Sequence, residues 1–458
     1  MTFETLKRSH LKRNIIIAVV IVLILSAVIL TFTRAKYRVT QSMPLLNGTI
    51  NYTLADLNIV EMYLNGEAID ALPDGNYELT SESYCTNAEN VRDESITLNY
   101  DGSTKTFTVA PFNKKGTKCY LYFDEKYLCE GLSANECILA YEGGADAIKA
   151  KGTPNFSSTA TTDMGMYAAE DDYGTSYYYR GAVNDNWVQF GTNSSGQTLY
   201  WRIIRINGDG SIRLIYNGTS TAQTGNSTMI NTSQAFNSSY NNNMYVGYMY
   251  QSGQVHGLTT NSSIKTTLDN WYLSNLADEA EYLDGNAGFC GDRYPSTSSS
   301  NSNGSGGTGT TTTYYGAYIR LVNSKNPSFK CTDKDNDLYT TPGSSEGNGA
   351  LKVTPGDNDS TPTPIGLITA DEVAFAGGVY GSSNSSYYLY NNAVYWTMSP
   401  FWYGNGSAYV FFVYSDGTLG ATYVNNSWGV RPVINLKSAI AITGSGTASD
   451  PFEVVGAS

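Results

Sequence analysis

"WTMSPFWYGNGSAYVFFVYSDGTLGATYVNNSWGVRPVINL", Trp396–Leu436, is the stretch on which the reading of this chain turns. It opens on "WTMSP" and closes on "GVRPVINL", two ordered-looking ends. Between them lie Trp, Tyr, Phe, Asn, Ser, Asp and Gly with few aliphatic residues. Strand alternation within "AYVFFVYSDGTLG" turns Phe411, Val413 and Leu419 inward and Phe412, Tyr414, Asp416 and Thr418 the other way. Outward aromatics among small polar residues are the composition of a binding surface. Tyr and Trp give large amphipathic contact at low entropic cost, and Ser, Gly and Asn adapt their hydrogen bonding.

The whole chain bounds what such a surface meets. Its 458 residues leave room for several domains. The net charge of −13 repels phosphate backbones and argues against a nucleic-acid partner. With 37 Tyr, 45 Gly and only 15% charged residues, the composition is neither disordered nor that of long helices. It points to many strands and turns.

The N-terminus carries Lys7, Arg8, Lys12 and Arg13 before an apolar run, Ile15–Phe32. Eighteen residues rise about 27 Å as a helix, near the thickness of a bilayer's hydrocarbon core. The run exceeds the roughly 7–15 residues of a signal-peptide core, and no small-x-small cleavage site follows. It reads as a signal anchor: a cytoplasmic tail at 1–14, a membrane span at 15–32, and the rest extracellular at the cell membrane. Arg34, Lys36 and Arg38 weaken the charge bias. A long cleaved signal peptide is the alternative, and also places the bulk outside.

Six cysteines agree with an oxidising compartment. Cys85, Cys119, Cys129 and Cys137 allow three pairings, of which spacing favours Cys85–Cys119 and Cys129–Cys137. Cys290 and Cys331 form the remaining pair, clipping a polar insertion to the core. No CxxC spacing supports a metal.

Beyond a tether at 33–51, residues 52–143 hold strand-like runs ("IVEMYLNG", "SITLNYDG", "KTFTVAPF", "KCYLYFD") separated by Asn-Gly and Asp-Gly turns. They read as a small disulfide-stapled β-sandwich, a stalk. Residues 144–176 read as a linker, 177–441 as a ligand-binding domain, and 442–458 as a C-terminal strand and tail. Within the large domain, Asn207-Gly208-Asp209-Gly210 sits between two β-rich runs and signals a hairpin. Ser262–Leu276 has helical apolar spacing behind a capping Ser. "TADEVAFAG", Thr369–Gly377, has a T-x-x-E capping box and a terminal Gly. Polar runs at Ser296–Thr313 and Thr341–Pro364 read as surface loops.

Taken in order, "YYYRGAVNDNWVQFG", "YWRIIRINGDGSIRLIY", "FCGDR", "TPIGLITADEVAFAGG", "YWTMSP", "GVRPVINL" and "GSGTASDPFEV" resemble a family of surface proteins of gut Firmicutes- and Mollicutes-like bacteria. The resemblance covers about Met164 to Val455. It implies a C-type-lectin fold of the formylglycine-generating-enzyme type, similar to variable proteins of diversity-generating retroelements. The expected class is thus α+β: one transmembrane helix, a β-sandwich stalk and a lectin-like domain with long loops. In those variable proteins a stretch before a G-x-R-x-V ending is diversified and faces the ligand. Carried onto this chain, the candidate face is Phe401, Trp402, Tyr403, Asn405, Ser407, Phe412, Tyr414, Asp416, Thr418, Thr422, Asn425, Asn426, Ser427 and Trp428.

The reactions of neighbouring families lack their residues here. The formylglycine-generating relatives need a C-terminal cysteine pair, and no cysteine follows Cys331. His10 and His256 are the only histidines, and no motif surrounds His256. "DKDND", Asp333–Asp337, lacks the Gly and distal Glu of a calcium loop and reads as a solvated acidic turn. Arg431 reads as a buried arginine bonding backbone carbonyls. The expectation is a membrane-anchored adhesin or receptor rather than an enzyme, with no cofactor or metal, binding an extracellular protein or glycan. The alternatives are a self-associating envelope or appendage protein and, less favoured, a sulfatase-modifying oxidase.

Overall fold

The computed structural model describes residues 58–73, 77–101, 106–110, 116–125, 129–161, 163–296, 306–341 and 363–457. The chain divides into two compact units, Met1–Tyr127 and Leu128–Ser458.

The first unit is built on a five-stranded sheet in which Asn58–Leu64 runs parallel to Lys118–Glu125. A separate hairpin, Thr97–Asp101 with Thr106–Ala110, packs on it through Tyr100, whose ring meets Phe123 edge-on at 5.3 Å. Cys85 and Cys119 face each other across adjacent strands and are bonded. This core is small: Met62, Tyr77, Phe107, Leu121 and Phe123 are its main apolar members. The Cys129–Cys137 bridge lies in the second unit, where it ties the start of the helix region Ala134–Tyr141. The stretch 144–176 is also structured, with the helix Ala145–Ala150 and the strand Gly165–Glu170.

Two sheets carry the second unit. An eight-stranded sheet is centred on the antiparallel strands Thr198–Ile206 and Ile212–Tyr216, joined at the expected Asn207–Gly210 turn. Gly208 is required there by close approach, because a Cβ would stand 2.4 Å from Asp171 Oδ1. The Gly208 N–H instead donates to Asp171 Oδ2 at 2.8 Å. The six-stranded sheet contains Tyr395–Gly404, Ser407–Val413, Leu419–Tyr423 and Ser427–Val430. The helix Ser263–Asn275 begins at Ser262, whose Oγ accepts from Lys265 N, and buries Ile264 and Leu268. The helix Ala370–Ala376 has its full capping box, Thr369 with Glu372, and ends at Gly377 with φ 123°.

Two expectations are corrected. The α+β class gives way to a mostly β fold, with 35% of the described residues in strands and 17% in helical segments. Tyr-, Thr- and Val-rich runs punctuated by Gly give short strands, and few runs are long enough for helices. The single-pass placement at a cell membrane is not carried by the described fold: among the described residues no helix is long and apolar enough to cross a membrane. The longest, Ser263–Asn275, has 13 residues and rises only about 20 Å. The run at 15–32 lies outside the described residues. All three disulfides, including Cys290–Cys331, are present, consistent with an oxidising, extracellular environment.

Candidate functional site

The C-terminal sheet places its aromatics by register. Thr313–Tyr314 adds to the edge of Tyr395–Gly404 with Tyr314 opposite Trp402. Trp402 lies opposite Tyr409, and Tyr409 opposite Tyr423. Four strands therefore contribute one aromatic each to a single cross-strand row. Centroid separations along it are 5.5 Å for Tyr314–Trp402, 5.5 Å for Trp402–Tyr409 and 4.5 Å for Tyr409–Tyr423. Tyr318 extends the row, 4.8 Å from Tyr314.

Tyr314, Trp402 and Tyr409 are half-buried, and Tyr423 is 42% exposed. Burial, then the hydrogen bond with Tyr423, pushes the Tyr409 phenol up to about 12, so it stays protonated as a donor or acceptor. Next to the row Phe401 and Phe411 pack edge-to-face at 5.0 Å, and Phe401 meets Tyr318 at 4.9 Å. No member of the row is charged.

The structure scatters the residues expected to form one face. Phe401, Tyr403 and Phe412 are core residues, Phe412 being 1% exposed. Phe412 does point away from Phe411, but the side it turns to is covered as well. On its side lie Trp396 at 6.3 Å and Trp428 at 6.0 Å. Tyr403 is held by its hydroxyl donating to Asn241 O at 3.0 Å. Ser407 and Thr422 are buried, and Thr422 Oγ1 accepts from Asn426 at 2.5 Å.

The remaining polar residues fall at opposite ends of the sheet. Tyr414, Asp416 and Thr418 belong to the turn between Ser407–Val413 and Leu419–Tyr423. Asp416 Oδ1 accepts there from Thr418 N at 3.0 Å, which holds the carboxyl below its ordinary range. Asn405, Asn425, Asn426 and Ser427 flank the turns at the other end. Of the candidate set, Trp402 alone joins the aromatic row. Tyr314, Tyr409 and Tyr423 were missed. Tyr314 could not be found by local pattern, since it comes from a strand some eighty residues earlier in the chain.

Other chemistry-bearing residues settle into structural roles. Arg431 is fully buried and donates to Tyr216 O, Leu389 O and Asn217 Oδ1 at 3.1, 3.0 and 2.7 Å, as its sequence context suggests. His256 is not isolated: its Nδ1 lies 2.7 Å from Asp337 and its Nε2 3.3 Å from Asp333. The "DKDND" turn is therefore packed onto this histidine. Among the described residues no group of His, Cys, Asp and Glu has the arrangement of a metal site.

No protein-family model, no curated protein and no solved structure matches the chain. The site must be read from its own geometry.

Proposed function

We propose that this chain is an extracellular binding protein that recognises neutral carbohydrate on the row Tyr314–Trp402–Tyr409–Tyr423. The row carries the reading. It is uncharged, lines up aromatic rings at successive centroid spacings of 4.5 to 5.5 Å, ends on Tyr423, which is 42% exposed, and adds phenol hydroxyls. Apolar C–H faces of sugar rings stack on such electron-rich faces, and the hydroxyls supply hydrogen bonds. The rings pack on one another along the row, which restricts side-chain motion, so little entropy is lost on binding. Three disulfides suit a chain working outside the cell. On this reading, the diversity implied by the resemblance to variable proteins falls on Trp402, Tyr409 and Tyr423.

The test is binding of the disulfide-intact chain to immobilised neutral polysaccharides: mannan, β-glucan, chitin and mucin glycans. Trp402→Ala and Tyr423→Ala are expected to weaken the best interaction by about tenfold or more each. The Tyr423→Ala melting curve should stay close to the parent's, because Tyr423 is 42% exposed, whereas the half-buried Trp402→Ala should cost about 1–2 kcal/mol. Phe412→Ala is the control, expected to lose about 3 kcal/mol of stability as a buried ring. Unchanged binding by both ladder variants would remove the reading. So would an absence of polysaccharide binding together with sedimentation of the wild type as an oligomer that Trp402→Ala dissolves.

A further inference from the structure

Away from the aromatic row, on the eight-stranded sheet, the strand Gly165–Glu170 pairs on one side only, with Thr175–Arg180. Its outer edge is closed at the start. Met166 O accepts from Lys151 Nζ at 3.0 Å, and Met166 N–H faces the Glu142 carboxylate. Peptide groups of an antiparallel strand alternate between its two edges. Ala168 and Glu170 therefore present their N–H and C=O on the same edge as Met166, and among the described residues no strand pairs there.

Beside this edge runs a groove of ≈ 640 Å³. This is the size of a ligand site. Its floor is an aromatic cluster separate from the main core. Phe329 and Phe375 stack at 3.7 Å, and Phe156 meets Phe375 edge-on at 5.1 Å. Tyr178 closes the cluster, 4.7 Å from Phe375. Phe156 is only half-buried. Apart from Glu170 at its end, the strand lines the groove with the small residues Ala168 and Ala169.

Charge narrows the occupant. Lys149 and Lys330 line the groove and are exposed, against one lining carboxylate, Glu170. This is a cationic patch on a chain of net charge −13. Edge strands on soluble proteins are normally blunted by charge, Pro or a covering loop. Here the open edge, aromatic floor and cationic rim coincide.

We propose that this groove binds an extended acidic peptide bearing an aromatic side chain, adding it as a further strand along Ala168–Glu170. The peptide backbone pairs with the free edge, about 4.8 Å away. Residues on the face shared by Tyr167 and Ala169 drop onto Phe156 and Phe375. Carboxylates at the flanking positions meet Lys149 and Lys330. The site is independent of the carbohydrate reading and stands or falls without it.

The experiment is fluorescence anisotropy of the intact chain with a labelled octapeptide of alternating Glu and Phe. Saturable binding is expected, about tenfold or more tighter than for the Lys/Phe counterpart and for a version N-methylated on its pairing residues. Phe156→Ala should lose a similar factor. Ala168→Pro removes the edge donor, a substitution edge strands tolerate, and should abolish binding with an unchanged melting curve. Should Ala168→Pro unfold, the N-methylated peptide carries the same test. Lys149→Glu with Lys330→Glu should reverse the preference toward the Lys/Phe peptide. No saturable binding, equal affinity for the N-methylated peptide, or an unreversed charge preference each overturns the proposal.

Discussion

Arg431→Met is expected to destabilise the second unit by about 3–6 kcal/mol, with a lower urea midpoint and an unchanged slope. Arg431 sits between Ser427–Val430 of the six-stranded sheet and Val433–Leu436 of the eight-stranded sheet. It is where the chain crosses from one sheet to the other. Its guanidinium satisfies Tyr216 O on the second sheet, Leu389 O in the segment leading to the first, and the Asn217 side chain. It also lies 4.9 Å from the Tyr395 ring centroid. Methionine fills similar space but leaves Tyr216 O and Asn217 Oδ1 without a donor and Leu389 O with the Tyr395 hydroxyl alone, at 3.2 Å, each lost donor costing about 1–3 kcal/mol. Arg431→Lys should recover less than half of the loss, since a point charge cannot replace the planar fork. A midpoint shift equivalent to less than about 1 kcal/mol would mean that water reaches these acceptors and that Arg431 does not join the sheets.

Glu372→Gln is expected to cost about 3–5 kcal/mol near neutral pH, because buried Arg213 loses its carboxylate and Arg205 one of its two. Glu372 Oε1 lies 3.2 Å from Arg205 Nε and 2.6 Å from Arg213 Nε, the two arginines coming from either side of the Asn207–Gly210 turn. Arg205 also reaches Asp171 at 2.7 Å. Gln keeps the capping-box acceptor for Thr369 N, so the variant isolates the charge from the cap. Burial raises the Glu372 carboxyl, but Arg213, then Arg205 and the Thr369 N–H, outweigh it and hold it below its ordinary 4.5. A depressed carboxyl stabilises the folded state above its unfolded value, and that contribution is lost as pH falls through the lower folded value. The difference between wild type and Glu372→Gln should thus be full above pH 4.5 and shrink on further acidification. Urea titrations at pH 7, 5, 4 and 3 measure it. A difference constant across that range would show that Glu372 does not stabilise through its charge.

Local signals in the sequence located the local structure. Asn207–Gly210 made its hairpin because Gly relieves the turn and the flanking runs are β-branched. Thr369 and Glu372 made their cap because both partners lie within one helical turn. Arg431 was legible as buried because a lone arginine between apolar residues has few other uses. Cys290 and Cys331 paired as the only cysteines left in their region.

The site was legible only in part, and the reason is sheet layering. Alternation tells which residues share a face, but not whether that face is covered. Phe412 and Tyr403 were read as contacts, yet segments around Phe236 and Asn241 cover them. Trp402 was found; its neighbours Tyr409 and Tyr423 were not singled out, since alternation puts Tyr409 on the side of the inward Phe411 and register puts Tyr423 opposite Tyr409. They emerge half-buried or exposed because the row lies toward the end of the sheet.

The sequence by itself determined composition, turn chemistry, helix caps and an aromatic-rich C-terminal stretch, and favoured the cysteine pairs, since each depends on residues close along the chain or on simple counting. The tertiary structure decided which aromatics form a surface, what His256 touches, that Glu372 joins two arginines, and that one strand edge stays open beside an aromatic groove. Those features depend on register between strands far apart in the chain, and a register shift of one residue turns every side chain to the other face.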